Sequence, residues 1–291
     1  MKRLVMHTLA AACLALAVGP VFANATSSAT IGNLVIILTD LDTADGISPW
    51  MTFTLPSFGV VQSGNASFGA ENSETQQAIR FGAAEGGLYN ASSHTDWSTS
   101  SASLLTSKGI GGFTTLSAQG AANSGLDSSG NYMANASAAK TPYSEFTLSA
   151  NTKLTFSVAA DVKAQTTIGY NLDADMGEMA SALAVLNLFG VANGGYQSDI
   201  QQHIAYATFD VRDDNTTMGV SDAWSGILTA SFVNDGAGVA TGGLEVYTYV
   251  EGISANWDGV TAVPEPSTYA MLLGGLGLIG AAARRRRSKA A

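Results

Sequence analysis

Short runs in which apolar and polar side chains alternate one for one, each closed by glycine, asparagine, aspartate or serine, constrain this chain more than any other feature. Met51, Phe53 and Leu55 alternate with Thr52 and Thr54, and Leu154, Phe156, Val158 and Ala160 alternate with Thr155, Ser157 and Ala159. Residues 204–211, 227–233 and 244–250 repeat the pattern with β-branched and aromatic enrichment. A period of two puts successive side chains on opposite faces of an extended chain, so these segments read as half-buried strands of stacked antiparallel sheets. The expected fold is all-β: an antiparallel β-sandwich or jelly-roll-like single domain.

Other stretches need separate readings. Leu34-Val35-Ile36-Ile37-Leu38 is continuously apolar and reads as a fully buried strand. Residues 178–188 are rich in helix formers, yet Gly177 and Gly190 bound them and strands surround them, which favours a strand. Residues 90–140 are rich in Ser, Ala, Gly and Asn with weak periodicity, predicting long loops or irregular edge strands. Asn234-Asp235-Gly236 and Thr241-Gly242-Gly243 flank a predicted hairpin loop between the last two strands.

Both ends of the 291-residue chain read as address labels rather than fold. Lys2 and Arg3 precede an apolar stretch over residues 4–18, Pro20 ends it, and Val21-Phe22-Ala23 and Ala23-Asn24-Ala25 offer small residues for cleavage after Ala23 or Ala25. Residues 1–25 therefore read as a signal peptide, with a body over residues 26–262. At the other end, two prolines in Pro264-Glu265-Pro266 fix φ and exclude helix interior or sheet ladder. An apolar segment over about 267–283 follows, some 25 Å long if helical, which is enough to span a bilayer with snorkelling flanks. Arg284, Arg285, Arg286 and Arg287 open a basic terminus over residues 284–289, a membrane stop on the cytoplasmic side.

Charge divides the chain in the same way. Seven of the 13 Lys and Arg lie in the two end segments, leaving the body six cations against 22 acids, a formal −16. Such a body has no attraction for nucleic acid or anionic lipid. The only cysteine, Cys13, lies in the leader, so a mature body forms no disulfide and must be held by packing alone.

The tail over residues 263–291 resembles the PEP-CTERM sorting signal: Pro-Glu-Pro, a glycine-containing apolar helix, then a basic terminus. The resemblance implies processing by an exosortase, a membrane transpeptidase-like enzyme of bacteria that make extracellular polysaccharide. It also implies export through the general secretion machinery, transient anchoring in the inner membrane, and a final place at the cell surface or outside. Asp40-Leu41-Asp42 with Asp45-Gly46-Ile47, and the later Ser231-Phe232-Val233-Asn234 leading into Gly243-Leu244-Glu245-Val246, resemble segments of other PEP-CTERM-bearing β proteins.

Chemistry-bearing constellations are few. Asp40, Asp42 and Asp45 place three carboxylates in one turn after a strand, the kind of oxygen cluster a Ca2+ ion uses, though not at EF-hand spacing; a capped, solvated turn is the blander reading. Apart from Ca2+ no cofactor is indicated. The body has two histidines, His94 and His203, without metal-ligand spacing, and no Gly-x-Ser-x-Gly elbow. The expected role is not enzymatic. It is that of a structural or adhesive protein in a biofilm matrix; the alternative is a secreted polysaccharide- or calcium-binding module. Four tryptophans and nine tyrosines could stack on sugars, but burial in the core is the commoner fate of such residues.

Overall fold

The alternating segments are strands in the computed structural model, which describes residues 23–53, 59–69, 73–81, 87–106, 113–124, 128–138, 144–168, 170–171, 176–211 and 217–256. Leu55, the leader before Ala23 and the whole tail lie outside the described residues. In chain order the strands are β1 (Ala23–Asp40), β2 (Met51–Phe53), β3 (Val60–Gly69), β4 (Ser73–Phe81), β5 (Gly87–Thr95) and β6 (Ser98–Thr106). Next come β7 (Thr115–Ser124), β8 (Ser128–Ser137), β9 (Ser144–Leu148), β10 (Thr152–Thr166), β11 (Tyr170–Asn171) and β12 (Met176–Gly177). The last are β13 (Met179–Ala192), β14 (Gly195–Ala207), β15 (Phe209–Val211), β16 (Thr217–Gly219), β17 (Ser221–Asn234) and β18 (Ala240–Asn256).

They form a β-sandwich. One sheet has the order β17-β10-β1-β7-β6-β5; the other runs β14-β13-β18-β8-β3-β4, with β9 beside β18 and β2 beside β9. All main pairings are antiparallel, and each strand of the first sheet lies against the correspondingly placed strand of the second. Residues 179–188 are strand, as expected of this stretch, with Glu178 just before it: Ala180, Ala182, Ala184, Leu186 and Leu188 of β13 are all fully buried. Neighbours on both sides override the helical propensity. The Asn193-Gly194 turn joining β13 to β14 has φ of 51° and 74°, the left-handed pair that a two-residue hairpin demands.

Three readings are corrected. Residues 90–140 hold four regular strands, β5 to β8, and β7 and β8 are central. Their periodicity is weak because their inward positions carry Ala and Ser, as in Ala91, Ser93, Ser98, Ser100, Ala118 and Ala122, which hydropathy barely separates from the outward Ser and Asn. The run from Leu34 to Leu38 is not buried on both faces: Val35 and Ile37 are half exposed, while Leu34, Ile36 and Leu38 pack on the core. Beyond Gly32 this end of β1 pairs with β10 but no longer with β7, after a bulge at Asn33, where φ is 54°. Finally, β17 and β18 form no hairpin. They belong to different sheets, Thr241-Gly242-Gly243 lies within β18, and residues 235–239 cross between the layers.

The core is graded along the strands. Phe146, Phe156, Phe232, Leu148, Leu154, Leu186 and Leu188 fill one end, where Phe146 and Phe232 meet edge to face at 5.6 Å. Alanines and serines fill the other, and there hydroxyls reach across from sheet to sheet. Ser27 meets the Tyr132 hydroxyl at 2.6 Å, Ser124 meets Ser254 at 3.0 Å, and Ser100 donates to Asn65 Oδ1 at 2.6 Å. The Tyr132 ring fits because Gly120 and Gly252 flank it; a Cβ on either would lie 2.0 Å or 2.5 Å from ring atoms. Burial raises the pKa of this phenol above its usual value, so it stays a protonated partner for Ser27.

The layers also close at the β14 and β17 edges. Gln197 exchanges two hydrogen bonds with the backbone of Val233, donating to its carbonyl at 2.8 Å and accepting from its N–H at 3.2 Å. The Ser231 N–H donates to Asp199 at 2.8 Å, and the Tyr206 N–H donates to Asp222 at 3.0 Å. His203 stacks on Trp224 with centroids 4.2 Å apart. Side chains thus occupy backbone groups that an exposed edge would offer to another strand.

Gly120→Ala should lower stability by about 1–3 kcal/mol through overpacking against Tyr132, whereas Gly238→Ala, with open space around it, should be near neutral. Urea unfolding midpoints followed by tyrosine fluorescence check both.

Candidate functional site

The acidic turn is built into a sheet crossing. Each carboxylate caps backbone: Asp40 Oδ1 accepts from Asp42 N–H at 3.0 Å, Asp42 Oδ1 from Ala44 N–H at 3.1 Å, and Asp45 Oδ1 from Ile47 N–H at 2.7 Å. Asp45 Oδ2 accepts from the Asn151 side chain at 2.8 Å, and the Leu41 N–H donates to the Asn151 carbonyl at 2.7 Å. Asn151 in turn donates its N–H to the Gly236 carbonyl at 3.2 Å, and buried Asn234 donates to the Ser149 and Gly238 carbonyls, both at 2.8 Å. The three crossings at residues 41–50, 149–151 and 235–239 are thereby tied together. Among the described residues no three of His, Cys, Asp or Glu form a group that could hold a metal ion. Each of the three carboxylates accepts from a local backbone N–H, and Asp45 accepts from the Asn151 side chain as well.

Ala23 and Ala25 sit inside β1, buried at 4% and 0% exposure, with Ala25 opposite Ala122 on one side and Thr166 on the other. The Asn24 N–H donates to Thr167 Oγ1 at 2.9 Å.

The two outward faces differ in chemistry. On the six-stranded sheet, register lines up Ser92, Ser101, Gln119, Ser28 and Lys163 in one row across β5, β6, β7, β1 and β10. The next row is His94, Thr99, Ala121, Thr26, Gln165 and Ser221. They line a shallow hollow of about 690 Å³, hydroxyl- and amide-rich and without a Phe, Tyr or Trp. His94 is one polar group among these, and His203 belongs to the edge seam.

On the eight-stranded sheet the outward face is aromatic. Alternate residues of β18 present Glu245, Tyr247, Tyr249 and Glu251, a sequence of acid, phenol, phenol, acid. Asn187 of β13 lies opposite Glu245 and donates to it at 3.3 Å; Asn135 of β8 lies opposite Tyr249. The Tyr249 hydroxyl donates to Glu251 at 2.8 Å, and burial, this bond and the Glu251 charge together push its pKa up to about 12. Burial and then Glu245 raise Tyr247 as well. Tyr196, Ile200, Ile204 and Tyr206 of β14 extend the face and are each about half exposed or more. The expectation of aromatic burial is corrected here. Of the described tryptophans Trp50 is exposed and Trp97 and Trp224 are half-buried, while Tyr132 alone among the tyrosines with described side chains is buried. A two-residue spacing of aromatics and acids in 245–251 is visible in the sequence; which face it points to is not.

Pro264, Glu265, Pro266 and the four arginines lie outside the described residues. Residues 262–287 match the family model of the PEP-CTERM protein-sorting motif. The chain carries a PEP-CTERM sorting signal. It is accordingly an exported protein processed at the membrane, with an exosortase as its processing partner. Only the five residues 257–261 lie between the end of β18 and the PEP-CTERM segment along the chain. No curated protein and no solved structure matches the chain.

The bond from Asn151, then that from the Ile47 N–H, lowers the Asp45 pKa below 3.8, against a small opposing effect of burial. Any stabilisation from it is therefore present above pH 3.8 and lost as pH falls through the depressed value. In Asn151→Ala the Asp45 carboxyl should titrate closer to its ordinary value, and a carboxyl-detected NMR titration of both proteins would show the rise.

Proposed function

We propose that the sandwich is a structural or adhesive component of the cell surface or extracellular matrix of a biofilm, delivered there by exosortase processing of its tail. The observation that carries this reading is the sorting-motif match at residues 262–287 directly behind a β-sandwich. In this reading residues 1–25 direct export, the apolar segment at about 267–283 holds the precursor in the inner membrane, and Arg284, Arg285, Arg286 and Arg287 prevent full translocation. Carrying each arginine into the bilayer centre costs about 2.5–3.5 kcal/mol on insertion scales. Pro264-Glu265-Pro266 is the stiff element the processing enzyme reads. We assign the body no catalytic step.

The sandwich bears on the leader too. Cleavage after Ala25 removes three residues of β1, the fully buried Ala25 among them, whereas cleavage after Ala23 removes one and keeps Asn24 and Ala25 in register with β7. Sequencing of secreted protein should therefore begin at Asn24; a start at Thr26 contradicts this.

For the tail, replacing Pro264 and Pro266 by alanine should leave full-length precursor, minus the leader, in the inner membrane. Cells lacking the exosortase should show the same accumulation. Fractionation with an antibody to the body compares them with wild type, and release of body of wild-type mass from the exosortase-null cells would show that the tail is an anchor only.

A further inference from the structure

We infer that the outward face of the eight-stranded sheet, centred on Glu245, Tyr247, Tyr249 and Glu251 of β18, binds a neutral polysaccharide chain. The inference rests on the surface and matrix reading above and names the partner that reading leaves open.

Outward residues two apart on a strand stand roughly 6.8 Å apart, so the four side chains span about 20 Å in a line. That length accepts several sugar rings. Phenol faces supply the apolar surface on which the C–H side of a pyranose stacks. Carboxylates accept hydrogen bonds from sugar hydroxyls at either end, and charge-assisted bonds of this kind are the stronger ones. The acids are already oriented: Asn187 donates to Glu245 Oε2 and Tyr249 donates to Glu251 Oε2. Asn135, opposite Tyr249 on β8, adds an amide able to donate and accept.

Charge selects among occupants of such a face. Its central charges are carboxylates on a body of formal charge −16, which repels nucleic acid, anionic lipid and anionic glycans. A second copy is disfavoured by the order of the stripe. Acid-phenol-phenol-acid reads the same in both directions, so stacking two stripes parallel or antiparallel sets carboxylate against carboxylate. A neutral glycan meets both requirements, giving hydroxyls to the acids and apolar ring faces to the phenols. The hollow on the opposite sheet is the weaker candidate, because its lining is mostly short hydroxyls with two amides and the charged Lys163 and Asp222, and it holds no Phe, Tyr or Trp ring.

The test uses processed protein purified from the culture, with hydroxyethylcellulose and laminarin as neutral probes and alginate as an anionic one, in affinity electrophoresis. Wild type should be retarded by at least one neutral glucan and not by alginate. Tyr247→Ala/Tyr249→Ala should weaken retardation about tenfold or more, and Glu245→Gln/Glu251→Gln should weaken it several-fold. Ser101→Ala/Gln119→Ala in the hollow should change nothing. If the tyrosine double variant loses its far-UV circular dichroism, exposed Tyr206→Ala and the glutamine pair decide instead. No retardation by either glucan, retardation by alginate alone, dependence on the hollow, or doubling of mass in light scattering that the tyrosine variants abolish would each overturn the inference. Fractionation of the same strains reads the sorting of the protein independently, so loss of glycan binding with normal processing removes this inference and leaves the surface role standing.

Discussion

The two sheets lie close enough for serine hydroxyls to bridge them, and most of the structure depends on that approach. Small inward side chains on β1, β7, β8, β10 and β13 permit it, and Gly120 and Gly252 make room for the one large ring, Tyr132, that stands in the narrow end. A chain whose body lacks cysteine has no covalent staple to hold its layers. Cross-sheet bonds such as Ser27 to Tyr132 and Ser124 to Ser254 contribute about 1 kcal/mol each. Their larger effect is on specificity, because a slip of register would bury those hydroxyls without partners.

Two further devices follow from the same architecture. Three chain crossings converge at the leucine- and phenylalanine-filled end, where Asn234, Asn151 and Asp45 occupy backbone groups that the crossings would leave bare. At the β14 and β17 edges, Gln197 and Asp199 take the place of a neighbouring strand. A sandwich rich in β structure risks edge-to-edge association, and side chains that imitate a ladder reduce that risk without adding a strand.

With small residues filling one end of the interior and Phe146, Phe156 and Phe232 the other, the described tryptophans and every tyrosine with a described side chain except Tyr132 are left wholly or partly outside. That inverts the usual expectation that tyrosine and tryptophan go to the core, and it divides the surface into a hydroxyl-rich face and a phenol-rich one. The sorting signal brings the sandwich to the membrane for processing, and the phenol-rich face is the surface we propose as a glycan site.

Much of this was legible from residues alone. Strict alternation around Leu154 and Phe156 and over 244–250 identified strands, because a period of two has few other physical explanations. Alternation failed over residues 90–140, where Ala and Ser inside differ little from Ser and Asn outside, and it mistook Leu34 to Leu38 for a doubly buried strand. The acid cluster at Asp40, Asp42 and Asp45 was visible as a cluster, but its carboxylates point at local N–H groups and at Asn151, over a hundred residues away.

By itself, then, the sequence determined the all-β class, the packing-only stabilisation of a cysteine-free body, and the tripartite tail with its sorting signal, all of which rest on local order along the chain. Tertiary structure decided which strands are neighbours, that β17 and β18 part into different sheets, and that Glu245, Tyr247, Tyr249 and Glu251 look outward while Leu244, Val246, Thr248 and Val250 look in. The reason is that alternation separates two faces of a strand without saying which is inside. Only contacts between residues far apart in the chain, such as Tyr249 with Asn135 and Leu183, settle that choice.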